Sequence, residues 1–169
     1  MDQGKELIKL ALFGQPVKSS LSPVIHRRFA AQFGLKIEYQ LIEPDVSDFS
    51  GALDAFRLAG GVGCNVTLPF KRDAWKLASG SSPEVSLAEA ANTLVRQSSG
   101  WFAYTTDGAG LIADLTGNHG IELAAKRVLV LGAGGAAAGI LGALLAQNPS
   151  EVLLVNRNLD RAQALSERF

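Results

Sequence analysis

Residues 126–145 read KRVLVLGAGGAAAGILGALL. Val128–Leu131 is an apolar run of strand length, and the chain turns at once through glycines into a helix of small and aliphatic residues. Gly132, Gly134 and Ala137 stand in G-x-G-x-x-G/A spacing. The first glycine permits a tight turn, and the second lets a backbone approach a pyrophosphate. The small third residue lets helix and strand pack closely. Free N–H groups at the helix start then face an anion. A second strand closes on VLLVNRN (152–158), so strand, turn, helix and strand follow in the order a dinucleotide site requires. Gly132, Ala133, Gly134, Gly135 and Ala136 are therefore expected to line a cofactor cradle. The alternative is a turn whose small residues serve packing alone.

The end of that second strand bears on which dinucleotide. A carboxylate there receives the ribose 2′-hydroxyl of NAD. This chain offers Asn156 and Arg157, with Arg161 one turn on. A guanidinium matches a 2′-phosphate that a carboxylate repels, which favours NADP.

Upstream, LIKLALFG (7–14) reads as a buried strand. Ser22-Pro23 reads as an N-cap and first helical position, opening a helix VIHRRFAAQF that Gly34 ends. KIEYQLI (36–42) alternates like a strand, SDFSGALDAFRLAGG (47–61) has helical spacing, and GCNVTL (63–68) is a third strand. Strands alternating with helices imply a parallel sheet with right-handed crossovers. Two short helices follow, then a hairpin from NTLVRQ and WFAYTT, then a loop and helix in DGAGLIADLTGNHG. The expected fold is α/β: an N-terminal three-layer domain with a mainly parallel sheet (1–107), a connecting helix or linker (108–125), and a partial Rossmann-like dinucleotide-binding domain (126–169).

Composition narrows the functions. The 169 residues carry 16 basic and 16 acidic side chains, so no polyanionic partner such as nucleic acid is indicated. No apolar run reaches the length of a membrane span, and MDQGKELIK lacks the apolar segment of a leader. Cys64 is alone and no His/Cys/Asp cluster has metal spacing, so no metal is expected. A cytoplasmic protein is the expectation, with a small molecule as its partner, and a homodimer is compatible with the chain.

Four further patches join the glycine turn. GQPVKSSLSP (14–23) sets Ser20 and Ser22 around a turn after the first strand. NVTLPFK (65–71) ends a strand at a proline and places Lys71 two residues on. AANTL (90–94) holds Asn92, and TTDG (105–108) holds Asp107. With GAGGAA and VNRN, these resemble shikimate dehydrogenases in order and spacing, from the first strand to residue 169.

The resemblance implies NADPH-dependent reduction of 3-dehydroshikimate to shikimate, in aromatic amino-acid biosynthesis. It implies that Lys71 and Asp107 form the proton-transfer pair and also contact substrate. Ser20 and Ser22 hold the substrate carboxylate, while Thr67 and Asn92 hold its hydroxyls. The chain departs from the pattern at Thr105, where an asparagine is common, and at Glu89, where a glycine is usual. Family members also continue further, with more nucleotide domain, a substrate-binding glutamine and a returning helix. The chain as given is therefore expected to fold through about residue 105, to leave 126–169 loose or associated with another chain, and to be inactive alone. Two rival readings are a quinate/shikimate dehydrogenase using NAD and a non-catalytic carboxylate-binding module. Ser22 and Arg157 argue against the first.

Overall fold

The computed structural model describes residues 6–169; Met1–Lys5, read above for a leader, lie outside it. Strands β1 (Ile8–Phe13), β2 (Ile37–Ile42) and β3 (Gly61–Val66) are parallel, with β1 between the other two. Helices α1 (Ser22–Gln32) and α2 (Phe49–Leu58) make the crossovers. Helix α3 (Lys71–Leu77), a two-residue strand β4 (Gly80–Ser81) and helix α4 (Pro83–Ala88) follow. The hairpin β5 (Thr93–Gln97) and β6 (Gly100–Tyr104) then completes a sheet ordered β2-β1-β3-β5-β6-β4. The hairpin pairs antiparallel to β3, and the short β4 adds parallel to β6. The sheet is thus mostly parallel.

Alternation along β1 makes the layers. Ala11 and Phe13 face a core with Phe49, Leu53 and Phe56 of α2, whereas Leu10 and Leu12 face the opposite side with Tyr39 and Val17. Ring contact between His26 and Tyr39, centroids 4.4 Å apart, seats α1 on that second side. Helix, sheet and helix form three layers.

Two local readings change. Ser22 is inside α1 rather than capping it; Leu21 is the cap residue, with no side-chain cap bond. The reason is that the Ser22 hydroxyl accepts from Ser20 Oγ at 3.0 Å instead of turning back onto its own helix. No loop precedes the helix after TTDG either. Helix α5 (Asp107–Ala113) starts at the aspartate itself and runs into a π-type turn at Asp114–Asn118.

The remaining strands, β7 (Arg127–Leu131) and β8 (Glu151–Val155), form a separate parallel pair, joined by α6 (Gly135–Leu145) and followed by α7 (Leu159–Ser166). One face of the pair is covered: Val128, Val130, Val152 and Leu154 pack with Ala137, Ala138, Leu141 and Leu165. Ala88 and Ala90 from the first half belong to the same core. Residues 126–169, expected to be loose or associated with another chain, instead fold against the first half, because α4 and α5 cover the apolar helix α6. Gly108 makes the α5 crossing possible, because a Cβ there would lie 2.7 Å from Ala143 Cβ and 3.0 Å from the Gly139 carbonyl.

Candidate active site

Lys71 begins α3, and its surroundings decide where it points. Phe70 is fully buried and stacks on Phe49 at 5.0 Å, while its N–H bonds to the Thr67 carbonyl at 3.0 Å. With Phe70 pinned in the core, the next side chain enters the molecule rather than solvent. Lys71 is only 9% exposed, and its Nζ donates to Asp107 Oδ2 at 2.6 Å. A buried ammonium without a partner is costly, so the aspartate is required simply to keep the charge there. Asn92 Nδ2 donates to the other oxygen, Asp107 Oδ1, at 2.9 Å. The structure therefore brings Lys71, Asp107 and Asn92 into one hydrogen-bonded cluster.

Ser20, Ser22 and Thr67 form a second group. With Leu12, Pro16, Val17 and Ser19 they line an open cavity of about 330 Å³. Sequence reasoning missed what shapes it. Glu43, at the end of β2, accepts the Val17 N–H at 2.6 Å and the Lys18 N–H at 2.9 Å, tying down the loop that carries the serines. Those two donors hold its carboxyl below the ordinary value of 4.5. The available signal was a carboxylate directly after a strand beside a loop in need of acceptors.

The glycine turn abuts the first group. A Cβ on Gly135 would meet Lys71 Cβ at 3.4 Å, and one on Gly139 would stand 2.9 Å from Asp107 Oδ2. Gly135 thus packs on the lysine rather than facing open space. Gly132 (φ +115°) and Gly134 do face open space, with nothing within 4 Å of a built Cβ. Gly134 caps α6 without any side-chain bond, leaving helix-start N–H groups available to an anion. Asn156 Oδ1 accepts the Ala133 N–H at 3.3 Å, so it braces the turn from β8. Ala136 lies in the first turn of α6. Arg157 and Arg161 are exposed and form no ion pair among the described residues.

Both departures from the family pattern have a structural reading. Thr105 Oγ1 is buried without a hydrogen-bond partner among the described residues. It lines a larger, mainly apolar cavity of about 620 Å³ beside the α5–α6 crossing. That cavity contains none of the expected site residues, and chemistry is better placed at the Lys71 cluster, where charge is buried and paired. Glu89 adopts φ +50°, a conformation that explains why glycine suits the position. Its carboxylate pairs with Arg72 at 3.4 Å and with Arg168, beyond α7, at 3.2 Å. Cys64 is buried in the core, where desolvation pushes its thiol up to about 12. No group of His, Cys, Asp and Glu among the described residues could hold a metal, and no described helix is long and apolar enough to cross a membrane.

Comparison with known proteins agrees along nearly the whole chain. A family described as "Shikimate dehydrogenase substrate binding domain" matches residues 12–94, and one described as "Shikimate / quinate 5-dehydrogenase" matches residues 114–169. A shikimate dehydrogenase (NADP(+)) of Xanthomonas oryzae pv. oryzae is 49% identical over 94% of this chain and 56% of its own. One from Aeromonas salmonicida is 48% identical over 94% of this chain and 58% of its own. Among solved structures, the shikimate 5-dehydrogenase of Thermus thermophilus in complex with NADP(H) and shikimate superposes with a TM-score of 0.85. It is 33% identical, and the match covers 95% of this chain and 60% of that one. The chain spans between half and two thirds of the length of these relatives.

Proposed function

We propose, from the premise that this chain belongs to the shikimate dehydrogenase family, that the protein it represents reduces 3-dehydroshikimate to shikimate with NADPH. The observation that carries the reading is the buried Lys71–Asp107 pair, 2.6 Å apart, lying directly beneath the glycine turn. Turning a ketone into an alcohol adds a hydride to carbon and a proton to oxygen. A nicotinamide, when bound, would supply the hydride. Lys71 Nζ supplies the proton to the oxygen and takes it back in the reverse direction. Asp107 aims the ammonium and remains as its counter-charge once substrate arrives.

Ser20 and Ser22 receive the substrate carboxylate, with Thr67 on the same cavity wall taking a hydroxyl. Asn92 takes another hydroxyl by giving up one of its bonds to the protein. Residues 1–107 then serve substrate, 108–125 connect, and 126–169 serve cofactor. The cradle fits a dinucleotide, since Gly132 and Gly134 leave room for a pyrophosphate and the α6 start is uncapped. Ala133, Gly135 and Ala136 complete it. Asn156 braces it, and Arg157 and Arg161 would meet the 2′-phosphate. Cytoplasmic residence and a homodimeric assembly belong to the same proposal.

The test is reduction of 3-dehydroshikimate by the full-length protein, with NADPH and NADH compared. Robust turnover preferring NADPH is expected. Absence of turnover while shikimate still binds supports a non-catalytic module, and equal use of NADH supports the quinate-type reading.

A further inference from the structure

Asp107 takes a donor on each oxygen, and the Asn92 donor has a definite polarity to maintain. Asn92 is saturated. Its Oδ1 accepts from the Thr93 hydroxyl at 2.9 Å and the Thr106 N–H at 3.0 Å. Its Nδ2 donates to Thr106 Oγ1 at 2.8 Å and to Asp107 Oδ1 at 2.9 Å. A side-chain amide offers two donor hydrogens and an oxygen with two acceptor sites, and all are used. Turned over, the amide would present its oxygen to the carboxylate and deprive Asp107 of its second donor.

A hydroxyl can rotate, so something must make Thr93 a donor here. Asn65 Nδ2 donates to Thr93 Oγ1 at 3.2 Å, and Asn65 Oδ1 in turn accepts from the Tyr39 phenol at 2.7 Å. Burial pushes that phenol up to about 12, so it keeps its proton at any working pH. Every bond from Tyr39 through Asn65, Thr93 and Asn92 to Asp107 therefore runs in one direction. The links cross the sheet from β2 to β3 to β5 and reach the start of α5.

We propose that Thr93, held in its donor state by Asn65 and Tyr39, is a positioning residue. It fixes the Asn92 amide and so presents Asp107 to Lys71 in a single orientation. The proposal rests on the dehydrogenase reading above. Thr93 acts through Asn92; a substrate hydroxyl can pair with either end of that amide, whereas Asp107 needs its donor, so the effect falls on kcat more than on ground-state binding of substrate.

The experiment compares Thr93→Val, Thr93→Ser and Tyr39→Phe in the full-length protein, reading kcat, KM for 3-dehydroshikimate, Tm, and the side-chain amide NMR signals of Asn92 without ligands. Thr93→Val is expected to lower kcat about 10–100-fold, the scale of a small misplacement at a reacting centre, with KM changed by less than about threefold. Thr93→Ser should restore most of kcat, and Tyr39→Phe should cause a smaller loss. The Asn92 signals should shift in Val and Phe but not in Ser. An unchanged kcat in Thr93→Val overturns the proposal, as does a proportional rise in KM or a failure of Ser to rescue. Should Thr93→Val not fold, Tyr39→Phe decides, because it breaks the path one step further back; unchanged kcat and unchanged Asn92 signals there overturn it. If the parent shows no turnover, the dehydrogenase reading fails on its own, while the Asn92 signals still report whether the path holds the amide.

Discussion

The two sheets of the molecule handle their polar groups in opposite ways. In the six-stranded half, Lys71, Asp107, Asn92, Thr93 and Asn65 satisfy one another before any ligand arrives, and α2 and α1 cover opposite faces. In the two-stranded half, the α6 start is uncapped and Arg157 and Arg161 reach solvent. Leu129, Leu131, Leu153 and Val155, on the face away from the core, are 57%, 77%, 45% and 53% exposed. On the proposed function, the first half is preorganised for proton transfer and the second is arranged to receive a cofactor. A site that must place a proton within a fraction of an ångström needs the former, whereas a phosphate cradle needs open donors. The difference predicts where substitutions act on rate and where they act on affinity.

The largest effect is expected at the preorganised site. Lys71→Ala in a full-length protein should lower kcat by about 10²–10⁴-fold, the span for a general acid–base group. KM should change much less, since the serine and hydroxyl contacts survive. Activity within a few-fold of the parent would remove Lys71 from the mechanism and erase the contrast between the halves. Next comes Gly139→Val, which crosses the boundary between them. Its side chain would press on Asp107 Oδ2, where a Cβ alone already stands at 2.9 Å. Overpacking of this kind costs about 1–3 kcal/mol, and displacing the carboxylate should lower kcat by about 10-fold or more. If kcat and Tm both stay at parental values, α6 does not support the pair.

What can be read from residues alone follows the same division. The βαβ order, the glycine turn and the Lys71 turn are legible because each is local: an apolar period, a spacing, a proline before a charge. Ser22 looks like a cap in the sequence because either use of its hydroxyl suits a serine before proline; Ser20 competes with the helix N–H groups and diverts it. Glu43 and Thr93 are not legible at all. Their roles depend on partners 26 and 28 residues away in sequence, across strands whose register only the fold supplies. That the Thr105 hydroxyl turns toward Gly139, where no partner is found among the described residues, is equally beyond the sequence.

In the receiving half the expected effects are on affinity. Arg157→Asp should weaken NADP binding by at least about tenfold, because a carboxylate facing a 2′-phosphate is a like-charge contact. NAD should lose far less, and kcat at saturating NADPH should hold within a few-fold. Calorimetric titration of both nucleotides checks this. A parent that binds NAD as tightly as NADP would show that the exposed arginines do not read the phosphate.

The smallest effect concerns the loop that carries Ser20 and Ser22, which is held through an ionisable acceptor, Glu43. The N–H groups of Val17 and Lys18 hold the Glu43 carboxyl below 4.5 in the folded protein, so its folded value lies beneath its unfolded one. A group shifted in that direction contributes stability fully above its unfolded value and loses it as pH falls through the folded value. The loop should therefore keep both hydrogen bonds at neutral pH and release them only in acid below 4.5. The direct readout is the pair of backbone amide NMR signals of Val17 and Lys18. Both should move upfield together as Glu43 protonates, with a shared midpoint below 4.5, and in Glu43→Gln they should not titrate in that window. Shikimate affinity should fall only a few-fold in that variant, since the serines themselves remain and the ion pair with Lys18 is exposed and weak. A midpoint at or above the ordinary value, or signals that titrate separately, would mean that Glu43 does not hold the loop and that the serine pocket is organised by its cavity walls alone.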